Sequence, residues 1–202
     1  MAQYPSPWSF HPEIQEAHLI AVAEVLLDVL HDTYQQLHTK FDDNYTRGTC
    51  TFGRQRNALI DMCQSKKHPY LELTHAGMDV TFCVSGIPVR FFADDPESPK
   101  KPGFFRRNSV DQLFEPVVQR PVMHRFVVEK PQFEDEAPRI HFVGYNEMQE
   151  IVSLWSYGGS PTAPLSSVGT DRVDSVPIEL DSSAIKLKKP SSSIQPAAEK
   201  KV

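Results

Sequence analysis

The sequence predicts an α+β domain in which a long N-terminal helix and a second, shorter helix pack on an antiparallel sheet of about five to six strands, followed by a disordered C-terminal tail. Three patterns predict it. Residues 13–40 carry apolar side chains at steps of three and four. Residues 70–157 hold short apolar runs separated by Gly, Pro and Asn turns. Residues 158–202 contain no aromatic residue and are rich in Gly, Pro and Ser. These shifts divide the chain into an extended arm (1–12), one domain (13–157) and a disordered or partner-binding tail (158–202).

The arm alternates Pro5, Pro7 and Pro12 with Tyr4, Trp8 and Phe10, so it is extended and has rings to lay on a surface. Helical spacing then runs from Glu13 to about Lys40. Ile20, Ala23, Leu27, Leu30, Tyr34, Leu37 and Phe41 form a stripe, with Leu19, Val22, Leu26 and Val29 beside it. A stripe this wide suits a helix laid on a sheet. The competing reading is a homodimer joined through Leu19 to Phe41.

Asp42-Asp43-Asn44 ends that helix, Gly48 and Gly53 interrupt the next segment, and helical spacing resumes over residues 54–66. Tyr70–Leu73 reads as a strand. Asp79–Phe92 reads as a hairpin turning at Ser85-Gly86, with Pro88 marking an edge strand or a strand start. The proline-rich stretch from Ala93 to Gly103 is an exposed loop, and a short helix is expected around Val110–Phe114. Strands are expected at Arg125–Lys130, Arg139–Tyr145 and Glu150–Tyr157, with an acidic loop at Phe133–Glu136. In the tail, residues 176–180 and 184–188 alternate apolar with polar residues, as a segment that adds a strand to a partner would.

Composition narrows the function. A net charge of -5 argues against a general nucleic-acid coat or an anionic-membrane binder, because both need a positive field over much of the surface. Three cysteines without a C-x-x-C pair point to a reducing compartment, and the first residues lack the charge and apolar core of a signal peptide. The longest apolar run, Leu19 to Leu30, carries Glu24 and Asp28 and is too short to span a bilayer. The expected location is the cytoplasm, without membrane contact.

Within this acidic chain, residues 38–108 hold eleven basic against eight acidic side chains. Two segments there interleave cations with aromatic rings. The first contains Tyr45, Arg47, Phe52, Arg54 and Arg56; the second contains Lys100, Lys101, Phe104, Phe105, Arg106 and Arg107. Phosphate partners and stacking faces in this proportion suit single-stranded nucleic acid. If the second helix opens at Arg54, Arg54 and Arg56 oppose the helix dipole, which an anion between them would relieve. The reading is a non-catalytic cytoplasmic regulator or adaptor that binds nucleic acid, single-stranded favoured, or an acidic partner protein, with no cofactor and no metal.

Two other classes compete. A metal-dependent nuclease can be assembled from Asp79, Asp94, Asp95 and Glu97 with Lys100 or Lys101, although a flexible loop is a poor base for metal geometry. A structural subunit would use the first helix as its interface. Walker, dinucleotide-binding, zincin and nucleophile-elbow motifs are all missing from the sequence. Cys50, Cys63, His68 and His75 have the residue types of a zinc site but not the close paired spacing, and Asp28-x-x-His31 lacks the second carboxylate-x-x-His of a di-metal bundle. A Cys50 or Cys63 nucleophile with His68 or His75 lacks an assured cation to activate the thiol.

Overall fold

Leu19, Val22, Ala23, Leu26, Leu30 and Thr33 recur at helical spacing and are all buried, which makes them the inner face of α1 (Glu16–Gln36). The buried line is therefore centred one step from the predicted stripe, with Ile20 and Leu27 on its half-buried flank and Tyr34 and Phe41 exposed. The apolar face of α1 is spent inside the chain. The helix is also shorter than predicted: Gln15 and His18 form a reciprocal cap at its start, and Leu37 leaves helical geometry at its end.

The computed structural model describes residues 4–106, 120–129 and 137–159. These belong to one compact unit, Met1–Pro161. Arg107, the helix expected near Val110–Phe114, the acidic loop at Phe133–Glu136 and the tail from residue 160 lie outside the described residues.

α2 (Asn44–Gln64) begins ten residues earlier than the sequence predicts and is as long as α1, not shorter. Its cap is Asp43, whose Oδ1 accepts the Thr46 N–H at 2.7 Å and whose carboxyl is held below its ordinary range chiefly by that bond. Gly48 and Gly53 each cost the helix about 1 kcal/mol. Burial of Thr51, Gln55, Leu59, Met62 and Cys63 offsets that cost. Partners between the helices run in opposite directions: Gln55 Nε2 donates to the Leu26 carbonyl (2.8 Å), Arg54 to Thr33 Oγ1 (3.3 Å) and Arg47 to the Leu37 carbonyl (3.5 Å), so α1 and α2 form an antiparallel pair.

The described residues form a sheet of six strands in sequence order: β1 (Leu71–His75), β2 (Thr81–Val84), β3 (Ile87–Phe92), β4 (Met123–Glu129), β5 (Arg139–Tyr145) and β6 (Ile151–Gly158). The predicted antiparallel sheet is corrected in one respect. β3 and β4 pair in parallel, Val89 opposite His124 and Phe92 opposite Val127, while the other neighbours are antiparallel. A parallel neighbour needs a crossover, and the chain between the two strands, Ala93 to Val122, is long enough in sequence for one. Ser85 and Gly86, at φ of 51° and 83°, close the β2–β3 hairpin with the left-handed pair a tight two-residue turn demands. Pro88 stands at a strand start, before the parallel register begins.

Each sheet face has its own core. Toward the helices point Phe82, Val84, Val89, Phe91, Phe126, Val128, Ile140 and Phe142. On the opposite face Val127, Val143 and Tyr145 pack with Phe104 from the crossover. β3 and β4 are thus buried on both sides, which explains apolar runs without clean alternation. We predict that Leu26→Ala, which empties the helix–sheet junction, lowers stability by about 2–5 kcal/mol, read as a lower urea midpoint at unchanged slope.

Candidate binding cleft

Two lines of side chains along α2 do different work. Arg47 and Arg54, seven residues apart, face α1. Arg47 donates to Leu37 O and to Asn44 Oδ1 (3.3 Å), with its guanidinium over the Tyr34 ring, and Arg54 reaches Thr33. Gly48, Phe52 and Arg56, four apart, face the sheet. Arg56 Nε donates to the Gly77 carbonyl at 2.8 Å, its Nη2 to the Ala76 carbonyl and its Nη1 to Asn57 Oδ1. Because α2 opens at Asn44, Arg54 and Arg56 sit in mid-helix, and the anion argument from the helix dipole does not apply to them.

Arg56 anchors the β1–β2 loop, and that loop carries Asp79. The Asp79 carboxylate accepts from Arg90 Nη2 at 2.8 Å. Arg90 is almost buried on β3, its guanidinium 5.0 Å over the Phe92 ring, and Nη1 also reaches the Gly103 and Arg106 carbonyls at 3.4 Å each. Next to it in the parallel register, fully buried Arg125 donates from Nε to the Phe104 carbonyl (3.0 Å) and from Nη2 to the Arg106 carbonyl (3.2 Å). The two guanidiniums together bind the turn from Gly103 to Arg106.

The preceding loop is organised by its own acids. Asp94 accepts from the Lys100 and Lys101 N–H groups at 2.9 and 2.7 Å, and Asp95 accepts from the Glu97 N–H at 2.8 Å. Asp94 folds the chain back and places Lys101 beside the end of β3.

Between α2, the β1–β2 loop and the C-terminal end of β3 lies a cleft of about 370 Å³, lined by Gly48, Phe52, Met78, Asp79, Arg90, Phe92 and Lys101 among others. Phe52 stacks on Phe91 at 5.3 Å and is half-buried, and Lys101 is exposed at the rim. The two sequence segments therefore meet here through Phe52 and Lys101. Tyr45, which is 79% exposed, stands three residues before Gly48 and seven before Phe52, on the helical line that enters the cleft.

The other candidates are distributed elsewhere. Arg47 and Arg54 belong to the helix–helix seam, and Arg56 props the cleft wall from behind. Phe104 is buried against Tyr145, and Phe105 is half-buried in the same cluster. Lys100 and Arg106 are exposed on the loop that bears Lys101. Arg90, which lines the cleft with Asp79 and Lys101, is a residue that sequence reasoning missed; its signal is a lone cation inside the apolar run Ile87–Phe92.

The carboxylates proposed for a nuclease are engaged separately, Asp79 by Arg90 and Asp94 and Asp95 by backbone N–H groups. Among the described residues no group of three or more His, Cys, Asp or Glu side chains is arranged to hold a metal ion. Burial, with a smaller contribution from nearby Cys83, pushes the Cys63 thiol up to about 11, away from a nucleophile's range. No helix among the described residues is long and apolar enough to cross a membrane. No protein-family model, curated protein or solved structure matches the chain.

This geometry makes two outcomes checkable. Cys63 resists iodoacetamide at about pH 8 in the folded chain and is alkylated once urea exposes it, read by mass spectrometry of the peptide. Arg56→Ala frees the Ala76 and Gly77 carbonyls, costs about 1–2 kcal/mol and speeds proteolytic cleavage near Met78, with cleavage in β4 and β5 unchanged.

Proposed function

We propose that this protein is a non-catalytic regulator or adaptor that binds single-stranded nucleic acid along the Tyr45–Gly48–Phe52 line of α2. One base enters the cleft and the adjoining phosphate lies on Lys101. The observation that carries this reading is the meeting of Phe52 and Lys101 in one cleft, although they come from segments about fifty residues apart. Its volume falls within the range of small-ligand pockets, of order 300–1,000 Å³. Phe52 and Phe92 offer apolar walls to a base, and Lys100, Lys101 and Arg106 supply exposed positive charge on one loop. An acidic chain with a local basic rim suits a partner-specific contact better than general coating.

The test titrates a labelled short oligothymidine or oligouridine against the full chain over a range of salt. Tyr45→Ala, at an exposed position that leaves the core intact, weakens binding by about 1–3 kcal/mol if a base stacks there. Lys101→Ala flattens the slope of log affinity against log salt by about 0.7. Absence of oligonucleotide binding by the unaltered chain overturns the proposal. Displacement of the oligonucleotide by a polyglutamate peptide, with no effect of Tyr45→Ala, assigns the cleft to an acidic protein segment instead.

A further inference from the structure

The N-terminal arm is held to the sheet by an unusual contact. Pro7–Ser9 makes one 3-10 turn with Pro7 buried, and this turn packs against β5 and β6. Its backbone tie is the Leu154 N–H, which donates to the Pro5 carbonyl at 3.1 Å on the outer side of β6. At the turn's end, the His11 ring meets the His124 ring of β4 edge-on, centroids 4.8 Å apart. His124 is 4% exposed and stacks on Phe142 of β5 at 5.6 Å. The Nε2 atoms of both rings are buried without a hydrogen-bond partner.

Such a pair is tolerable only while both rings are neutral. A neutral imidazole with one unpaired nitrogen behaves largely as an aromatic ring, but a proton on it makes a buried cation. The charged groups nearby increase the penalty. Arg125 is the next residue after His124 on β4, and Arg120, from the segment leading into β4, acts on His11. The opposing group is Glu13, whose carboxylate stands 3.5 Å from His11 Nδ1 with its side chain 47% exposed. From β5 the facing side chain is Phe142, and on β6 the residue two strands along the same row, Ser153, brings only an uncharged hydroxyl. Among the described residues His124 therefore has no acid to receive it when charged, and His11 has one that is largely in water.

We propose that residues 4–11 form an acid-released strap, latched on the β5–β6 end of the sheet by the uncharged His11–His124 pair and freed when that pair takes up a proton. Swinging the arm away is the least costly response to protonation, because it lets water reach both rings while the two sheet cores stay packed. Burial, the largest influence on each, holds His124 well below the ordinary value of 6.5 and His11 below it to a lesser degree; Glu13 opposes the shift only at His11. Since these histidines titrate lower in the docked state than in the released one, docking is complete above about pH 6.5 and is lost progressively as pH falls below it.

The experiment follows the Leu154 amide by hydrogen exchange in the full chain, corrected for the intrinsic pH dependence of exchange. Between about pH 7.5 and pH 5 we expect its protection to fall at least tenfold while the amides of β4 hold theirs. His124→Phe keeps an aromatic ring against His11 and Phe142 but cannot be protonated, and in that variant the tenfold fall is abolished. Unchanged protection at about pH 5 in the unaltered chain, or the same loss in His124→Phe, overturns the strap. A carbon-proton NMR titration of the unaltered chain gives a readout that does not depend on the variant folding. Ring signals that move together with the loss of Leu154 protection, below the ordinary imidazole range, support the proposal; two independent titrations at the ordinary value overturn it.

Discussion

The contact on which most of this molecule depends is the pair of buried guanidiniums at Arg90 and Arg125. They stand side by side on the two strands of the parallel pairing, and both reach the carbonyls of the turn from Gly103 to Arg106. A crossover loop has no ladder of its own, and its carbonyls would be costly to bury unpaired. Arginine supplies several donors in one rigid fork, so two side chains can satisfy a whole turn. With the turn anchored, Phe104 fills the space over Val127, Val143 and Tyr145, and the sheet acquires its second core. The same anchoring brings Lys101 and Pro102 to the end of β3, where the cleft opens.

The cleft is built by a sequence of supports rather than by one element. Arg56 grips the β1–β2 loop, that loop presents Asp79, and Asp79 neutralises Arg90 beside Phe92. Four of the arginines in described segments are thus occupied with internal carbonyls, amides or a carboxylate: Arg47, Arg56, Arg90 and Arg125. On the crossover loop, Lys100, Lys101 and Arg106 are exposed, and of these Lys101 lines the cleft.

The arm and the cleft lie on different parts of the fold and draw on different chemistry. At the cleft, almost buried Arg90 is paired with Asp79, and Lys101 is exposed. Beneath the arm, the Nε2 atoms of two titratable rings are buried without a hydrogen-bond partner, so the energy of that contact depends on proton concentration in a way that the apolar packing around it does not. Trp155 and Tyr157 on β6, which donate to Glu16 and Glu24 of α1, tie the same sheet edge to the helices independently of the arm.

The amino-acid sequence by itself determined the elements that rest on local chemistry. The period of residues from 13 to about 40 reads as a helix, Ser85-Gly86 as a tight hairpin, and the runs at 125–130, 139–145 and 150–157 as strands because β-branched and aromatic side chains suit a pleated sheet, and the structure forms α1, the hairpin and β4 to β6 there within a few residues. Tertiary structure alone decided the rest. α2 extends back to Asn44 through two glycines because docking on α1 outweighs local propensity there. β3 and β4 run parallel because their pairing is set across a long connection, for which no neighbouring residues encode a direction. The fate of each arginine was likewise beyond local reading. Arg47, Arg54 and Arg56 look alike in the chain, but a rotation of about 100° per residue sends the first two to a helix seam and the third to a loop, and only the partners waiting on each side determine what a guanidinium does.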